Sequence, residues 1–211
     1  MAFVSTPELL VLHAVRIQGM SDTDSIARRY RLARDTVEEL LLDEQACGRV
    51  QRTGFADISA WSLTAVGRDR DTRVLADELA AAGVQDTVAE AHASFVPLNS
   101  RLLELITKWQ IRPIPGDPMA TNDHRDWRWD EDILKSLAGL SRRLRPIGDQ
   151  LADALARFAG YPDRLDGALE RVDKGERKFV DEPRIDSFHT VWFELHEDLL
   201  ATLGLERGAG A

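Results

Sequence analysis

The sequence predicts a mainly α-helical protein that contains one short two-stranded sheet. Apolar residues recur at helical spacing over residues 7–18 and over most of the chain after residue 85. The segments RVQRTG and SAWSLT instead have the character of short strands, and the glycine in TGFAD between them favours a hairpin. With 211 residues and 44% hydrophobic content, the chain can bury a core in one large domain or two small ones.

The first two helices are predicted from spacing and from their end residues. Residues 7–18 form the first helix, with Leu12 and Val15 among its apolar positions and Gly19 as its stop. In the second helix, Ser21 stands three residues before Asp24, which resembles a capping box with Asp in place of Glu.

The third helix is predicted from Arg34 to Cys47, since Val37, Leu40 and Leu41 follow helical spacing and Gly48 ends it. The two strands follow, and residues 65–83 return to a helix. Over about 75 residues the predicted order is therefore three helices, strand, turn, strand and helix.

The remaining residues predict about five helices. Residues 87–111 form a long amphipathic segment in which Pro97 predicts a break or kink. Residues 112–126 contain three prolines and predict a loop. Residues 130–161 predict one or two helices interrupted near Pro146, and two more helices cover 162–175 and 184–204. Residues 205–211 predict a frayed tail. We therefore expect domains at 1–75 and 76–211.

The N-terminal third resembles the winged helix-turn-helix domain of bacterial transcription regulators, broadly the MarR- and PadR-like kind. The resemblance is carried by SIARRYRLARDTVEELL for the helix-turn-helix and by GRVQRTG and SAWSLTAVGR for the wing. It implies a third helix that enters the major groove, while the second helix and the wing touch the DNA backbone.

This resemblance implies a transcription regulator that binds duplex DNA and is a homodimer. Because the sequence contains no catalytic signature, we do not expect an enzyme. Phosphate contacts need Arg, Lys or short polar groups, and base edges are met at the start of the third helix. The residues expected to contact DNA are Arg28, Arg29, Arg31, Arg34, Thr36, Arg49 and Arg52.

Four residues depart from the pattern of the DNA-binding members. Glu38 and Glu39 stand at outward positions where those members carry Ser, Arg, Gln or Asn. Glu44 stands where an apolar core residue is common, and Arg49 where Leu is common. Carboxylates near phosphates repel them, although a carboxylate can accept from cytosine N4. A winged helix used for protein contact therefore stays open as an alternative.

The helical half is expected to dimerise or to sense a small-molecule effector. Its tryptophans line a ligand pocket or fill a core, and the pocket hypothesis names Trp109, Trp127, Trp192 and His196. His189 and His196 lie two helical turns apart, about 10 Å, which is too far for one metal ion. We predict no metal and no cofactor, while a ligand- or metal-binding helical protein stays open as a further alternative.

Composition limits the function classes. The net charge is −9 and the pI about 5.1, which argues against a non-specific polyanion binder. Residues 1–75 carry ten Lys and Arg against eleven Asp and Glu, so most of the excess acid lies after residue 75. The single Cys47 fits a reducing cytoplasm. No apolar run predicts a membrane span, no signal peptide is expected, and no glycine-rich phosphate loop or GxSxG occurs.

Overall fold

The fold is described from a computed structural model, which describes residues 1–55 and 58–206. This part of the chain holds eight α-helices and one two-stranded antiparallel sheet, so the mainly α-helical prediction is confirmed. The described helices include none with the length and apolar character that a bilayer crossing demands.

The first helix, α1 (Pro7–Gln18), has the predicted bounds. The side chain of Thr6 caps its N-terminus by accepting from the amide of Leu9. Gly19 follows the helix with φ of 75°, a conformation that glycine adopts without steric cost.

The second helix, α2 (Thr23–Tyr30), begins differently from the prediction. Asp22 is its N-cap, and the Asp22 carboxylate accepts from the amide of Ser25 at 2.8 Å. The expected capping box at Ser21 is wrong, because the backbone of Ser21 pairs with Trp61 in an isolated antiparallel bridge. The third helix, α3 (Arg34–Ala46), follows as predicted after a short turn in which Arg31 has φ of 55°.

The sheet consists of β1 (Val50–Phe55) and β2 (Ile58–Leu63), paired with Val50 opposite Leu63. The turn expected within TGFAD includes residues 56 and 57, which lie outside the described residues.

The helix α4 (Ala65–Ala82) is capped by Thr64, whose hydroxyl accepts from the amide of Gly67. Gly67 lies so close to β1 that a Cβ there would stand 1.9 Å from the carbonyl oxygen of Arg49. Only glycine fits this contact, which holds the start of α4 against the residue before β1.

The first three helices and the sheet share one apolar core. Its buried members come from α1, α2, α3 and both strands: Val11, Leu12, Ala14, Val15, Ile26, Ala27, Val37, Leu41, Val50 and Trp61. Because Val37 and Leu41 are fully buried, the opposite side of α3 faces outward.

The later helices are α5 (Gln85–Gln110), α6 (Trp127–Ala154), α7 (Tyr161–Asp173) and α8 (Phe188–Leu203). The predicted interruption near Pro146 is wrong, because α6 runs through it, and α5 likewise runs through Pro97. Both prolines are exposed, so water can satisfy the carbonyl groups that each proline leaves without a donor.

The chain divides into two compact units. Unit 1 comprises Met1–Val88, Ala152–Arg157 and Glu194–Ala211, and unit 2 comprises Ala89–Leu151 and Phe158–Phe193. The expected domain boundary after residue 75 falls inside α4. The expected frayed tail falls largely on residues 207–211, which lie outside the described residues.

Candidate nucleic-acid interface

The outward side of α3 and its surroundings in unit 1 hold most of the residues expected to contact DNA. Arg34 and Thr36 are exposed in the first turn of α3, and Arg28 and Arg31 are exposed on and just after α2. Arg52 is exposed on β1. These five side chains therefore come from α2, from the turn after it, from α3 and from β1.

Three of the arginines are paired with acids. The Arg34 guanidinium lies 2.8 Å from Asp24, and both side chains are about 60% exposed. Arg52 lies 3.5 Å from Glu38. An exposed pair such as Arg34–Asp24 contributes only about 0–1 kcal/mol, and the Arg52–Glu38 contact is long, so a phosphate can compete for both guanidinium groups.

Arg49 is paired differently. Its guanidinium lies 3.1 Å from the half-buried carboxylate of Glu44, five residues earlier. The two departures from the family pattern thus form one ion pair between the end of α3 and the start of β1. This arrangement gives Arg49 a structural partner at the base of the hairpin.

Glu38 is not the free outward carboxylate that the sequence predicted. Its Oε2 accepts from the Thr23 hydroxyl at 2.6 Å, and the Trp61 indole nitrogen donates to the same Thr23 oxygen at 3.2 Å. Because Thr23 and Trp61 are both buried, this chain of hydrogen bonds ties α2, α3 and β2 together.

Arg29 does not face outward. It is half-buried, its Nη2 donates to the backbone oxygen of Arg157 at 3.2 Å, and its guanidinium lies 4.7 Å from the ring centre of Tyr30. This placement does not suit the phosphate contact that the sequence predicted, because the side chain is already engaged inside unit 1.

Carboxylates remain on the outward side of α3. Asp35, Glu39 and Asp43 are exposed, follow one another at intervals of four residues and form no ion pair with any described residue. Residues at this spacing share one helix face. The exposed surface of α3 is thus acidic from Asp35 in its first turn onward, and its positive charge is confined to Arg34.

The four side chains of the predicted ligand pocket lie in different surroundings. In unit 2, Trp192 is buried between Phe95 and Phe188, and Trp127 is 60% exposed. His196 belongs to unit 1. None of the three described cavities is lined by any of the four.

Trp109, the remaining pocket residue, takes part in a polar cluster of unit 2. Its ring lies 4.4 Å from that of His124, and its backbone oxygen accepts from buried Asn122. The His124 Nδ1 lies 3.0 Å from buried Asp130, and Asn122 also donates to Asp130. The cluster fixes the proline-rich loop at residues 112–126 onto α5 and α6, and the sequence offered no spacing that predicted it.

A second polar cluster that the sequence did not predict lies within unit 1. His13 is fully buried, with Nδ1 3.3 Å from Asp71 and Nε2 3.1 Å from Asp198. Buried Arg157 pairs with Asp198 and, at 2.7 Å, with Glu78. These residues are so distant along the chain that no local pattern could have linked them.

The charges in this cluster stabilise one another. Burial alone would lower the pKa of His13, but the neighbouring Asp71 and Asp198 outweigh it, and the pKa is raised above 6.5. Burial alone would raise the pKa of Asp198, but Arg157 and His13 outweigh it, and the pKa lies well below its usual range. The pKa of Asp71 is lowered for the same kind of reason, with His13 and Arg16 as the partners.

Within the described residues, no three His, Cys, Asp or Glu side chains are arranged as ligands of a metal ion. Comparisons with family models, with curated proteins and with solved structures found no match for this chain.

Proposed function

We propose that the N-terminal part of unit 1 is a winged helix-turn-helix that binds duplex DNA, and that the protein is a transcription regulator. One observation carries the proposal: Arg28, Arg31, Arg34, Thr36 and Arg52 are all exposed on the helix pair and the hairpin. The buried side of α3 meanwhile packs on α1, α2 and the sheet through Val37 and Leu41. This combination leaves the N-terminal half of α3 available to a groove.

The proposed contacts follow from the type and position of each side chain. Arg34 and Thr36 lie in the first turn of α3 and would meet base edges. Arg28, Arg31 and Arg52 would contact phosphates on either side of it. Binding would replace the exposed pair Arg34–Asp24 and the longer contact of 3.5 Å between Arg52 and Glu38.

The acidic side chains of α3 limit how far along this helix DNA can be contacted. Asp35, Glu39 and Asp43 are exposed and would repel phosphates that came near them. A carboxylate in the groove can instead accept from cytosine N4. We therefore propose base contact by Arg34 and Thr36 in the first turn, with contact by Asp35, Glu39 or Asp43 restricted to cytosine.

Regulators of this architecture bind paired half-sites as dimers, and we propose the same for this chain, with the helical part contributing the dimer contact. Half-sites would then lie about 34–36 Å apart, one turn of B-DNA, or at a multiple of that spacing.

A selection from random-sequence duplex DNA, made with the full chain at low salt, tests the function. The proposal predicts enrichment of a two-fold symmetric sequence, and loss of the enrichment in the double variant Arg28→Glu/Arg31→Glu. The control is Arg142→Glu/Arg143→Glu, which reverses the charge of two exposed arginine positions of α6 in unit 2. No enrichment by the unaltered chain, or equal loss in the control, would refute the proposal.

A second candidate function is binding of a basic protein partner to α3. It is favoured by the exposed row Asp35, Glu39 and Asp43, together with the pairing of Arg34 and Arg52 to acids. If α3 binds a protein partner, the unaltered chain would enrich no DNA sequence. The triple variant Asp35→Asn/Glu39→Gln/Asp43→Asn would enrich none either. In a DNA-binding protein the same variant would strengthen enrichment, because the repulsion of phosphates is removed.

A further inference from the structure

Unit 1 contains a cavity of about 730 Å³ that the proposed DNA contact does not use. Side chains of α1, of the first half of α4 and of the end of α8 line it. None of the residues proposed to contact DNA is among them. The proposed DNA contact therefore does not account for this cavity.

Arg16 of α1 lines this cavity and is held by several hydrogen bonds. Its side chain is only 8% exposed, with Nε donating to Glu197 at 3.2 Å and Nη1 donating to Asp71 and Thr72, each at 3.0 Å. Its Nη2 donates to no residue in the part of the chain that the structure describes. The guanidinium is thus held rigidly while one of its terminal nitrogens keeps its hydrogen atoms for a ligand.

Two further arginines, both on α4, line the same cavity. Arg68 is 57% exposed and lies 3.8 Å from Glu197, so its contact with that acid is loose. Arg73 is exposed, and its Nε donates to the backbone oxygen of Asp69. Guanidinium groups bind planar or tetrahedral oxyanions through pairs of N–H donors. The ligand should therefore carry a carboxylate or phosphate group.

The acids and leucines of the cavity decide between these two anions. Asp69, Glu197 and Glu206 match the three arginines in number, so the lining has no excess positive charge. A dianionic phosphate would meet three carboxylates, whereas a single carboxylate needs only one free guanidinium edge. Leu200 and Leu205 also line the cavity and offer apolar surface to the rest of the molecule.

We propose that this cavity binds a small monocarboxylate with an aliphatic body, and that Arg16 and Arg68 hold its carboxylate. The site does not depend on DNA binding, because it shares no residue with the proposed DNA contact. Arg16 also touches Asp71, which contacts His13, so a ligand here would act on the buried charge cluster of unit 1.

Isothermal titration calorimetry on the full chain tests the ligand class with three probes: 4-methylpentanoate, its uncharged amide and inorganic phosphate. We expect saturable binding of the carboxylate and affinity at least about tenfold lower for the amide, which cannot form charge-assisted hydrogen bonds. Equal binding of acid and amide, tighter binding of phosphate, or no saturable carboxylate binding would each overturn the proposal.

Two variants test whether Arg68 and Arg16 hold the carboxylate of the ligand. Arg68→Gln removes an exposed guanidinium without disturbing the core, and it should lower the affinity for 4-methylpentanoate by about tenfold. Arg16→Lys keeps the positive charge but loses the second terminal nitrogen. It should lower the affinity for 4-methylpentanoate at least as much as Arg68→Gln does. The control is Arg70→Gln. Arg70 is an exposed arginine of α4, the helix that also carries Arg68, and it does not line this cavity, so its replacement should leave the affinity for 4-methylpentanoate unchanged. Unchanged affinity in Arg68→Gln, or an equal loss in Arg70→Gln, would overturn the assignment.

Discussion

Arg52 of β1 and Glu38 of α3 form an ion pair, with Nη1 and Oε1 3.5 Å apart. The same arginine donates from Nε to Ser59 of β2 at 2.6 Å, and its guanidinium lies 5.1 Å from the Trp61 ring centre. One side chain therefore connects both strands with the third helix. This pairing gives Glu38 a structural role and leaves Asp35, Glu39 and Asp43 as the acids that a DNA ligand would meet.

The first prediction concerns the hydrogen bonds behind that pair. Replacing Thr23 with Val removes the hydroxyl that donates to Glu38 and accepts from Trp61. The buried indole nitrogen then has no acceptor, so the free energy of unfolding should fall by about 1–3 kcal/mol. Urea unfolding measures this. In the control Thr36→Val, where the hydroxyl is exposed on α3, the change should stay within about 0.5 kcal/mol. Equal changes in the two variants would contradict the role of Thr23.

The second prediction compares two of the helical glycines, Gly67 of α4 and Gly167 of α7. A methyl group at Gly67 would stand 1.9 Å from the Arg49 carbonyl oxygen, so Gly67→Ala should lower the free energy of unfolding by about 3 kcal/mol. In α7, Gly167 has no atom within 4 Å of a Cβ, so Gly167→Ala should raise it by about 1 kcal/mol. Thermal unfolding compares the two. A Gly67→Ala variant as stable as the unaltered protein would mean that α4 and β1 do not meet as described.

The third prediction concerns pH and the buried His13. Because the pKa of His13 is raised above 6.5 in the folded state, the folded protein holds this proton more tightly than the unfolded chain does. Its stabilising contribution is complete below pH 6.5 and is lost as the pH rises through the raised pKa. The free energy of unfolding should therefore decline above pH 6.5, and His13→Gln should remove this decline.

The control for that prediction is His92→Gln. Burial lowers the pKa of His92, so its contribution is lost as the pH falls and not as it rises. The decline above pH 6.5 should survive in His92→Gln. On the acid side, Asp71 and Asp198 have lowered pKa values, so their contribution is complete above pH 3.8 and is lost as the pH falls through those values. An alkaline decline that persists in His13→Gln would assign it to another group.

Local patterns in the sequence predicted most of the elements. The bounds of α1 follow from apolar spacing together with Thr6, Pro7 and Gly19, which act within the helix or next to it. The prediction at Pro146 was wrong because the rule for proline considers only local effects, the lost backbone hydrogen bond and the clash of the ring with the preceding turn. Buried Leu144 and Gly148 on either side hold α6 together through packing, which no local rule includes.

The candidate site was predicted only in part, for a related reason. Exposure of Arg34 and Thr36 follows from helical periodicity, so the sequence could indicate it. Whether an arginine is paired depends on residues from other elements, as Arg52 with Glu38 and Arg29 with the Arg157 backbone illustrate. Tertiary contacts therefore decide which members of a basic pattern remain available to a ligand.

The salt dependence of duplex-DNA binding, measured by fluorescence anisotropy on the selected sequence, tests the central claim most directly. The logarithm of the association constant should fall linearly with the logarithm of salt concentration, by about 0.9 for each phosphate contact. The variant Arg28→Ala/Arg31→Ala should lower that slope by about 1.8, while Arg142→Ala/Arg143→Ala should leave it unchanged. No binding at about 50 mM salt with micromolar protein, or the same slope in all three proteins, would contradict the assignment of α2, α3 and the hairpin to DNA.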